Sequence, residues 1–323
     1  MADPTLTYPE AIVIGLLQGV TELFPVSSLG HSVLLPAIIG GRWARDLSLS
    51  ADQSPYLAFV VAVHVATAFA LIWFFRADWV RIVTGLVTSI KDHRISTPDQ
   101  RLGWLLLVAT IPVGLAGLVL EHAVRTTLGK PVPAALFLIL NGLILAGVER
   151  IRHRAKATDP VPVGPDLRPG RVYAGATAHQ GGVSAAHGGD IVSDNRLAAQ
   201  SWGQVLLIGG AQILALLPGV SRSGTTIGAG LLRGLSHEDA ARFAFLLATP
   251  VILAAGVLKL PELARPAGHG ILGPVLAGSL VAGLAAYGSL RFLTRYFETQ
   301  TLNPFAIYCV VAGLGALVWT TIN

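Results

Sequence analysis

Two stretches decide how this chain is read: QGVTELFPVSSLGH, from Gln18 to His31, and LPGVSRSGTT, from Leu217 to Thr226. Each sinks charge, hydroxyls, a proline and a glycine into otherwise apolar sequence. An ionisable group in hydrocarbon costs roughly 2.5 to 3.5 kcal/mol even on lenient insertion scales, so Glu22, His31 and Arg222 are functional candidates by default. Irregular backbone at membrane depth is tolerated only where it lines a protein or water cavity. The two stretches therefore predict a polar pocket inside a bilayer, with residues that suit an anion.

The sequence around them supports a membrane setting. Of 323 residues, 53% are hydrophobic and 13% charged, about half the charge of an ordinary soluble domain. Six apolar stretches approach spanning length: Leu57 to Phe75, Leu102 to Leu120, Pro131 to Val148, Phe243 to Leu258, Ile271 to Leu290 and Pro304 to Thr320. At 1.5 Å rise per residue, about 17 to 20 residues cross the hydrocarbon core. The N-terminal segment carries Asp3 and Glu10 and lacks a basic leader, so no removable signal peptide is expected. The single cysteine, Cys309, excludes an intramolecular disulfide and reads as a buried small hydrophobe.

The net charge of +5 is concentrated in loops. Arg76, Arg81, Lys91, Arg94 and Arg101 lie between the first two spans, and Arg150, Arg152, Arg154, Lys156, Arg168, Arg171 and Arg196 follow the third. This is the pattern of cytoplasmic topology determinants, not of a nucleic-acid surface. With those loops inside, the scheme closes only if each motif-bearing stretch enters and leaves by one face. The expected fold is thus an all-α polytopic membrane protein with about six transmembrane helices and two re-entrant helical hairpins. The hairpins share a Gln in the first arm, a Pro near its end and V-S-x-x-G after it: Val26, Ser27, Gly30 against Val220, Ser221, Gly224. Opposed hairpins, each followed by three spans, predict an inverted-topology repeat with its site where the halves meet. The organisation reads as a first repeat over 1–148 with its hairpin at 9–40, a flexible cytoplasmic loop over 149–200, and a second repeat over 201–323 with its hairpin at 202–232.

In the first hairpin Gln18 and Glu22, four apart, share a helix face. Pro25 ends that helix, and Ser27, Ser28 and His31 follow at the turn. They offer a metal ligand or base, a nucleophile and a proton carrier. In the second, Pro218 and Gly219 break a helix and Ser221, Arg222, Ser223, Gly224 and Thr226 restart it. Backbone N–H groups and hydroxyls at a helix start, with an arginine fork, make a phosphate cradle. His64, within the first span, reads as a packing histidine, with a place in the pocket as the alternative.

Together these motifs resemble the undecaprenyl-diphosphate phosphatases, or bacitracin-resistance proteins. That family carries (E/Q)xxxE running into PVSSxGH, here Gln18 to His31, and PGxSRSxxT, here Pro218 to Thr226; FAFLLATP, Phe243 to Pro250, also looks familial. The resemblance implies an enzyme of the bacterial cytoplasmic membrane that removes the terminal phosphate from a C55 polyprenyl diphosphate. It would recycle the lipid carrier for cell-wall polymers, raise bacitracin tolerance and face outward. It implies a divalent ion, Mg²⁺ or Ca²⁺, held with Glu22 and Gln18. Ser27 or Ser28 would be the nucleophile, His31 the acid/base, and Arg222 the phosphate clamp with Ser221, Ser223, Gly224 and Thr226. Two positions depart from the commonest pattern: Gln18 is not acidic, and Leu29 replaces Thr. The implied partners are the lipid substrate and the bilayer, with no nucleic acid and with room for a homodimer. The competing reading is a polyprenyl-phosphate transporter or flippase, since broken helices in an inverted repeat also build transporters.

Overall fold

The computed structural model describes residues 6–47, 55–158, 185–263 and 271–322. Every regular element among them is helical. The first hairpin is α1 (Tyr8–Thr21) and α2 (Ser28–Ile39), followed by the short α3 (Gly41–Asp46). Then come α4 (Pro55–Phe74), α5 (Arg76–Lys91), α6 (Pro98–Leu128), α7 (Pro131–Thr158) and α8 (Ala185–Ala198). The second hairpin is α9 (Trp202–Ala211), tightening into a 3-10 turn at Gln212–Leu216, and α10 (Arg222–Leu232); α11 (His237–Leu263), α12 (Leu272–Thr299) and α13 (Asn303–Ile322) complete the chain.

Six helices are long and apolar enough to cross a membrane: α4, α6, α7, α11, α12 and α13. Their apolar side chains point outward as well as inward. Leu272, Leu276, Leu280 and Leu284 of α12 are all exposed, as are Ile111, Leu115, Leu118 and Val119 of α6. Such stripes are stable only against lipid. The protein is a multi-pass membrane protein, with spans centred where the hydropathy places them.

The helix pairing repeats between the halves. Arm α1 packs on α12 as α9 packs on α6, while α4 meets α11 and α7 meets α13. Small residues let these backbones approach. A Cβ on Gly15 would stand 2.2 Å from the Gly278 carbonyl oxygen, and one on Gly209 would stand 2.2 Å from that of Ala109. Close contact of this kind drives helix association where lipid removes the hydrophobic incentive.

Two departures from expectation lie on the basic side. The first interspan loop contains α5, whose Val80, Val83, Val87 and Ile90 form an exposed stripe while Asp78 and Ser89 are buried. That stripe, flanked by Arg76 and Lys91, suits a helix lying in the membrane interface. The expected flexible loop over 149–200 is also shorter than expected. Helix α7 runs on to Thr158 and α8 covers Ala185–Ala198, so only 159–184 of that segment lies outside the described residues. Buried Asp194 anchors α8 by accepting from Arg81 at 2.6 Å and Arg242 at 2.8 Å; Asp239 accepts from Arg196 at 2.7 Å. Burying Asp194 without those cations would be strongly unfavourable, which ties α8 to α5 and α11.

Candidate active site

The first hairpin is built by its caps. Thr7 and Glu10 form a capping box at the start of α1, with Pro9 in the first turn. Its last turn is released at Thr21, and residues 22–27 carry the chain round Pro25. Ser27 then adopts φ +70° and caps α2, its Oγ accepting from Gly30 N at 3.2 Å. Ser221 repeats that cap on α10, with Oγ accepting from Gly224 N at 3.1 Å. The two hairpin tips touch: a Cβ on Gly30 would lie 2.8 Å from Gly219 Cα. Gly219, at φ +118°, passes so close to α7 that a Cβ there would meet the Ala134 carbonyl oxygen at 2.4 Å, which leaves glycine as the residue that fits.

Asn141, fully buried on α7, joins the tips. Its Nδ2 donates to the Pro25 carbonyl oxygen at 3.0 Å and its Oδ1 accepts from Ser221 N at 3.0 Å. Its Nδ2 also approaches Cys309 Sγ at 3.3 Å. One amide thus satisfies a backbone group from each hairpin.

Between the tips stands Glu22. Its Oε1 accepts from Arg222 at 2.8 Å, and its Oε2 accepts from Ser28 Oγ at 2.5 Å and Gln18 Nε2 at 3.1 Å. His64 Nε2 lies 3.3 Å from the same Oε2. Four elements therefore converge on one carboxylate that is 7% exposed. A cavity of about 300 Å³ opens on this cluster. Glu22, Ser27, Ser28, His64, Gln212, Ser221 and Arg222 supply its polar wall, while Val61, Val113, Leu216, Val251 and Ile252 supply an apolar one. Glu121 lines it as well.

Several polar atoms here are buried without a partner: Arg222 Nη1, Gln18 Oε1 and Gln212 Oε1. Buried polar groups are rarely left so; Arg222 and Gln212 stand on the cavity wall, where such atoms point to a ligand, and Gln18 lies behind it against Glu22. The unpartnered guanidinium nitrogen is suited to a phosphate oxygen. The unpartnered amide oxygens, with the Glu22 carboxylate, are hard oxygen donors of the kind that hold Mg²⁺ or Ca²⁺. Among the described residues no three His, Cys, Asp or Glu gather into a closed cage. A divalent ion that shares its ligands with a substrate's phosphates needs none, so the residues present fit one.

The structure thus brings Gln18, Glu22, Ser28 and Arg222 together, with Ser27 and Ser221 on the cavity wall. The other sequence candidates face elsewhere. His31 Nδ1 contacts the Ser27 carbonyl oxygen at 2.7 Å and its Nε2 contacts Tyr308 Oη at 2.8 Å, away from the cavity wall. Ser223 Oγ donates to the Phe24 carbonyl oxygen at 3.1 Å, and Thr226 Oγ1 donates to that of Arg222 at 2.8 Å. Gly224 packs between Leu145 and Pro25. These groups shape the turns that present Ser28 and Arg222. Three cavity or scaffold residues were not singled out by the motifs: His64, Asn141 and Gln212. The clue for each is a polar side chain inside an apolar run.

The model of the bacitracin resistance protein BacA family matches residues 11–315. Among curated relatives, an undecaprenyl-diphosphatase of Mycolicibacterium paratuberculosis is 60% identical over 98% of this chain and 99% of its own length. Undecaprenyl-diphosphatase 1 of Frankia casuarinae is 51% identical, over 96% of this chain and 97% of its own. Undecaprenyl-diphosphatase 2 of Chromobacterium violaceum is 38% identical, over 96% and 98%. With the family model matching nearly end to end, this chain belongs to the BacA family of bacitracin-resistance proteins.

Proposed function

We propose that this protein is the phosphatase its relatives are named for, hydrolysing undecaprenyl diphosphate to undecaprenyl phosphate and inorganic phosphate and so returning the lipid carrier to cell-wall synthesis. The observation that carries this reading is the contact of one buried carboxylate with a serine hydroxyl on one side and an arginine on the other. Binding alone calls for the arginine. A hydroxyl aimed at a carboxylate is what acyl or phosphoryl transfer adds.

In this reading the diphosphate enters the cavity with its terminal phosphate against Arg222. The free Nη1 meets one phosphate oxygen and the fork neutralises charge that grows as the anhydride bond breaks. Ser28 Oγ attacks the terminal phosphorus while its proton passes to Glu22 Oε2. The P–O bond to the lipid-bearing phosphate breaks, the proton on Glu22 passes to that phosphate, and undecaprenyl phosphate leaves with its tail in the bilayer, so that Glu22 is again a carboxylate. Water then attacks the phosphorus of phosphoserine and gives a proton to Glu22; the bond from phosphorus to the Ser28 oxygen breaks, Glu22 returns the proton to that oxygen, and inorganic phosphate leaves. Ser27 is the less suited nucleophile, because its oxygen already caps α2. His31, fixed between Ser27 and Tyr308, steadies the turn that carries Ser28.

Gln18 and Glu22 would hold a Mg²⁺ or Ca²⁺ ion, and such an ion would neutralise diphosphate charge and orient the anhydride bond. The apolar wall of the cavity gives the first isoprene units a place beside α4, α6 and α11. The site belongs on the outer face of the cytoplasmic membrane by the charge rule: Glu121 lines the cavity at the end of α6 remote from the basic residues Arg81 to Arg101. The repeated pairing of α1 with α12 and α9 with α6 supports two re-entrant hairpins in an inverted repeat.

The test is phosphate release from C55 polyprenyl diphosphate by the purified protein, with and without EDTA, beside Ser28→Ala. Metal-dependent release lost in the variant is expected. A folded wild-type protein that releases none would favour the transporter.

A further inference from the structure

The lipid-facing side of α12 ends in charge. Leu272, Leu276, Leu280 and Leu284 stand a turn apart and exposed along one face, and the same row continues as Gly288, Phe292 and Tyr296. Arg291 and Arg295, both exposed, flank its last two turns. From Leu272 to Leu290 the helix is uncharged and, at 1.5 Å per residue, roughly 28 Å long, close to the thickness of the hydrocarbon core. Arg291 therefore stands where hydrocarbon gives way to headgroups, and Arg295 one turn beyond it. That end lies on the basic side of the protein. Leu302, just past α12, donates its N–H to Glu149 Oε1 at 2.8 Å, and Arg150, Arg152, Arg154 and Lys156 follow Glu149 directly.

Arginines that only fix topology need do no more than reach into water. Two observations go further here. The first is a groove of about 460 Å³ lined by Gly288, Arg291, Phe292, Arg295 and Tyr296. Its aromatic floor is held in place: Phe292 stacks on Phe24 of the first hairpin at 5.8 Å and on Tyr296 at 5.6 Å, and Tyr296 Oη donates to the Thr301 carbonyl oxygen at 3.1 Å. The row of side chains is notched at residue 288, where a glycine stands that no neighbour requires. A Cβ on Gly288 would meet nothing within 4 Å, whereas one on Gly278 would stand 2.6 Å from the Ala11 carbonyl oxygen. Helix packing thus explains Gly278 and leaves Gly288, disfavoured in a helix interior, without a reason inside the protein. The second observation is unpaired charge. Among the described residues neither guanidinium has an ion pair or a hydrogen bond, and Glu298, the one carboxylate of α12, pairs with neither.

We propose that this groove binds an anionic phospholipid of the cytoplasmic leaflet: Arg291 and Arg295 take the headgroup phosphate, the notch at Gly288 admits the glycerol backbone beside Phe292, and an acyl chain lies along Leu284, Leu280 and Leu276. Two free guanidinium forks match phosphate oxygens. A zwitterionic headgroup brings its own cation to its phosphate, so two arginines favour a lipid with net negative charge, and that leaflet supplies it. The site shares no residue with the cavity at Glu22 and stands whether or not the protein hydrolyses a diphosphate.

The test separates a shaped site from diffuse charge. Full-length protein in detergent is titrated with phosphatidylglycerol or phosphatidylcholine of the same acyl chains, and bound lipid is counted by native mass spectrometry. The wild type, Gly288→Leu and the double variant Arg291→Gln/Arg295→Gln are compared, with thermal unfolding of each. The wild type is expected to hold one phosphatidylglycerol at least about tenfold more tightly than phosphatidylcholine, and the double variant to lose about 30-fold, the effect of two basic residues at an anionic surface. Gly288→Leu keeps every charge and fills the notch, so it should lose about tenfold through steric exclusion alone. Inorganic phosphate at millimolar concentration should not displace the lipid. Wild-type affinity in Gly288→Leu overturns the proposal in favour of diffuse attraction, and equal retention of the two lipids overturns it by removing the charge preference. Displacement by inorganic phosphate would make free phosphate the ligand, and a dimer that Gly288→Leu dissociates would make this face a contact between two copies; either also overturns it. If the double variant fails to insert, Gly288→Leu decides alone, since its new side chain points into open space.

Discussion

Arg222 and Glu22, two hundred residues apart, meet at 2.8 Å where the tips of the two hairpins touch. Each belongs to a motif that is polar without the other, and neither hairpin alone could keep its charge at this depth. Removing one partner would strand the other buried and unpaired, at about 3 to 5 kcal/mol. The pair therefore holds the halves together as well as forming the candidate site.

Arg222→Lys tests the clamp while keeping the charge. An ammonium can still meet Glu22 but has no planar fork for phosphate oxygens. Turnover should fall by about 10²- to 10³-fold, the range seen when one oxyanion donor is lost, with membrane insertion unchanged. Near-normal phosphate release would show that the guanidinium does not grip the phosphate.

The two serines should behave differently. Ser28→Ala removes the hydroxyl on Glu22 and should abolish steady-state turnover. Ser27→Ala removes the cap of α2, lowering stability by about 1 kcal/mol and leaving measurable activity. The reverse ranking in paired activity and unfolding assays would make Ser27 the nucleophile.

Asn141→Leu keeps the volume of the α7 side chain and deletes both hairpin contacts. The Ser221 N–H is then buried without a partner, at about 1 to 3 kcal/mol, and the Pro25 carbonyl keeps only the weak Cys309 Sγ donor at 3.8 Å. The unfolding temperature in detergent should drop measurably and activity should fall with it. An unchanged transition would mean the tips are held by packing alone.

If Glu22 and Gln18 hold a divalent ion, EDTA should stop phosphate release and added Mg²⁺ or Ca²⁺ should restore it. Glu22→Gln should be nearly inactive, and its residual rate should no longer respond to metal. A residual rate with wild-type metal dependence would move the ion to other ligands.

Gly30→Val places two methyls where the hairpin tips meet, with the first carbon already 2.8 Å from Gly219 Cα. Backbone on both sides leaves little room to yield, so overpacking of about 1 to 3 kcal/mol is expected. The prediction is lost activity with reduced unfolding temperature; wild-type values for both would mean that the tips separate in the membrane.

Much of this architecture was legible locally. A span needs only an unbroken apolar run, so α4, α6, α7, α11, α12 and α13 could be placed from composition. A hairpin tip needs a helix breaker followed by a cap, and Pro25–Ser27 and Pro218–Ser221 carry both. Helices α5 and α8 were missed because their stability comes from outside the local pattern. The first turns its apolar stripe away from the protein, and the second is held by the ion pairs of Asp194 with Arg81 and Arg242.

By itself, then, the sequence determined a polytopic helical membrane protein, the two polar breaks in it, and the residue types that could handle a diphosphate. These follow from hydropathy, backbone stereochemistry and side-chain chemistry, which act over a few residues at a time. Tertiary structure decided which of those residues share a site. It brought Ser28 and Arg222 to opposite oxygens of Glu22, turned His31 toward Tyr308, and made neighbours of His64 and Glu22 and a bridge of Asn141. The physical reason is that these distances depend on how closely backbones pass at Gly15, Gly30, Gly209 and Gly219, contacts between segments far apart in the chain that leave no periodic trace along it.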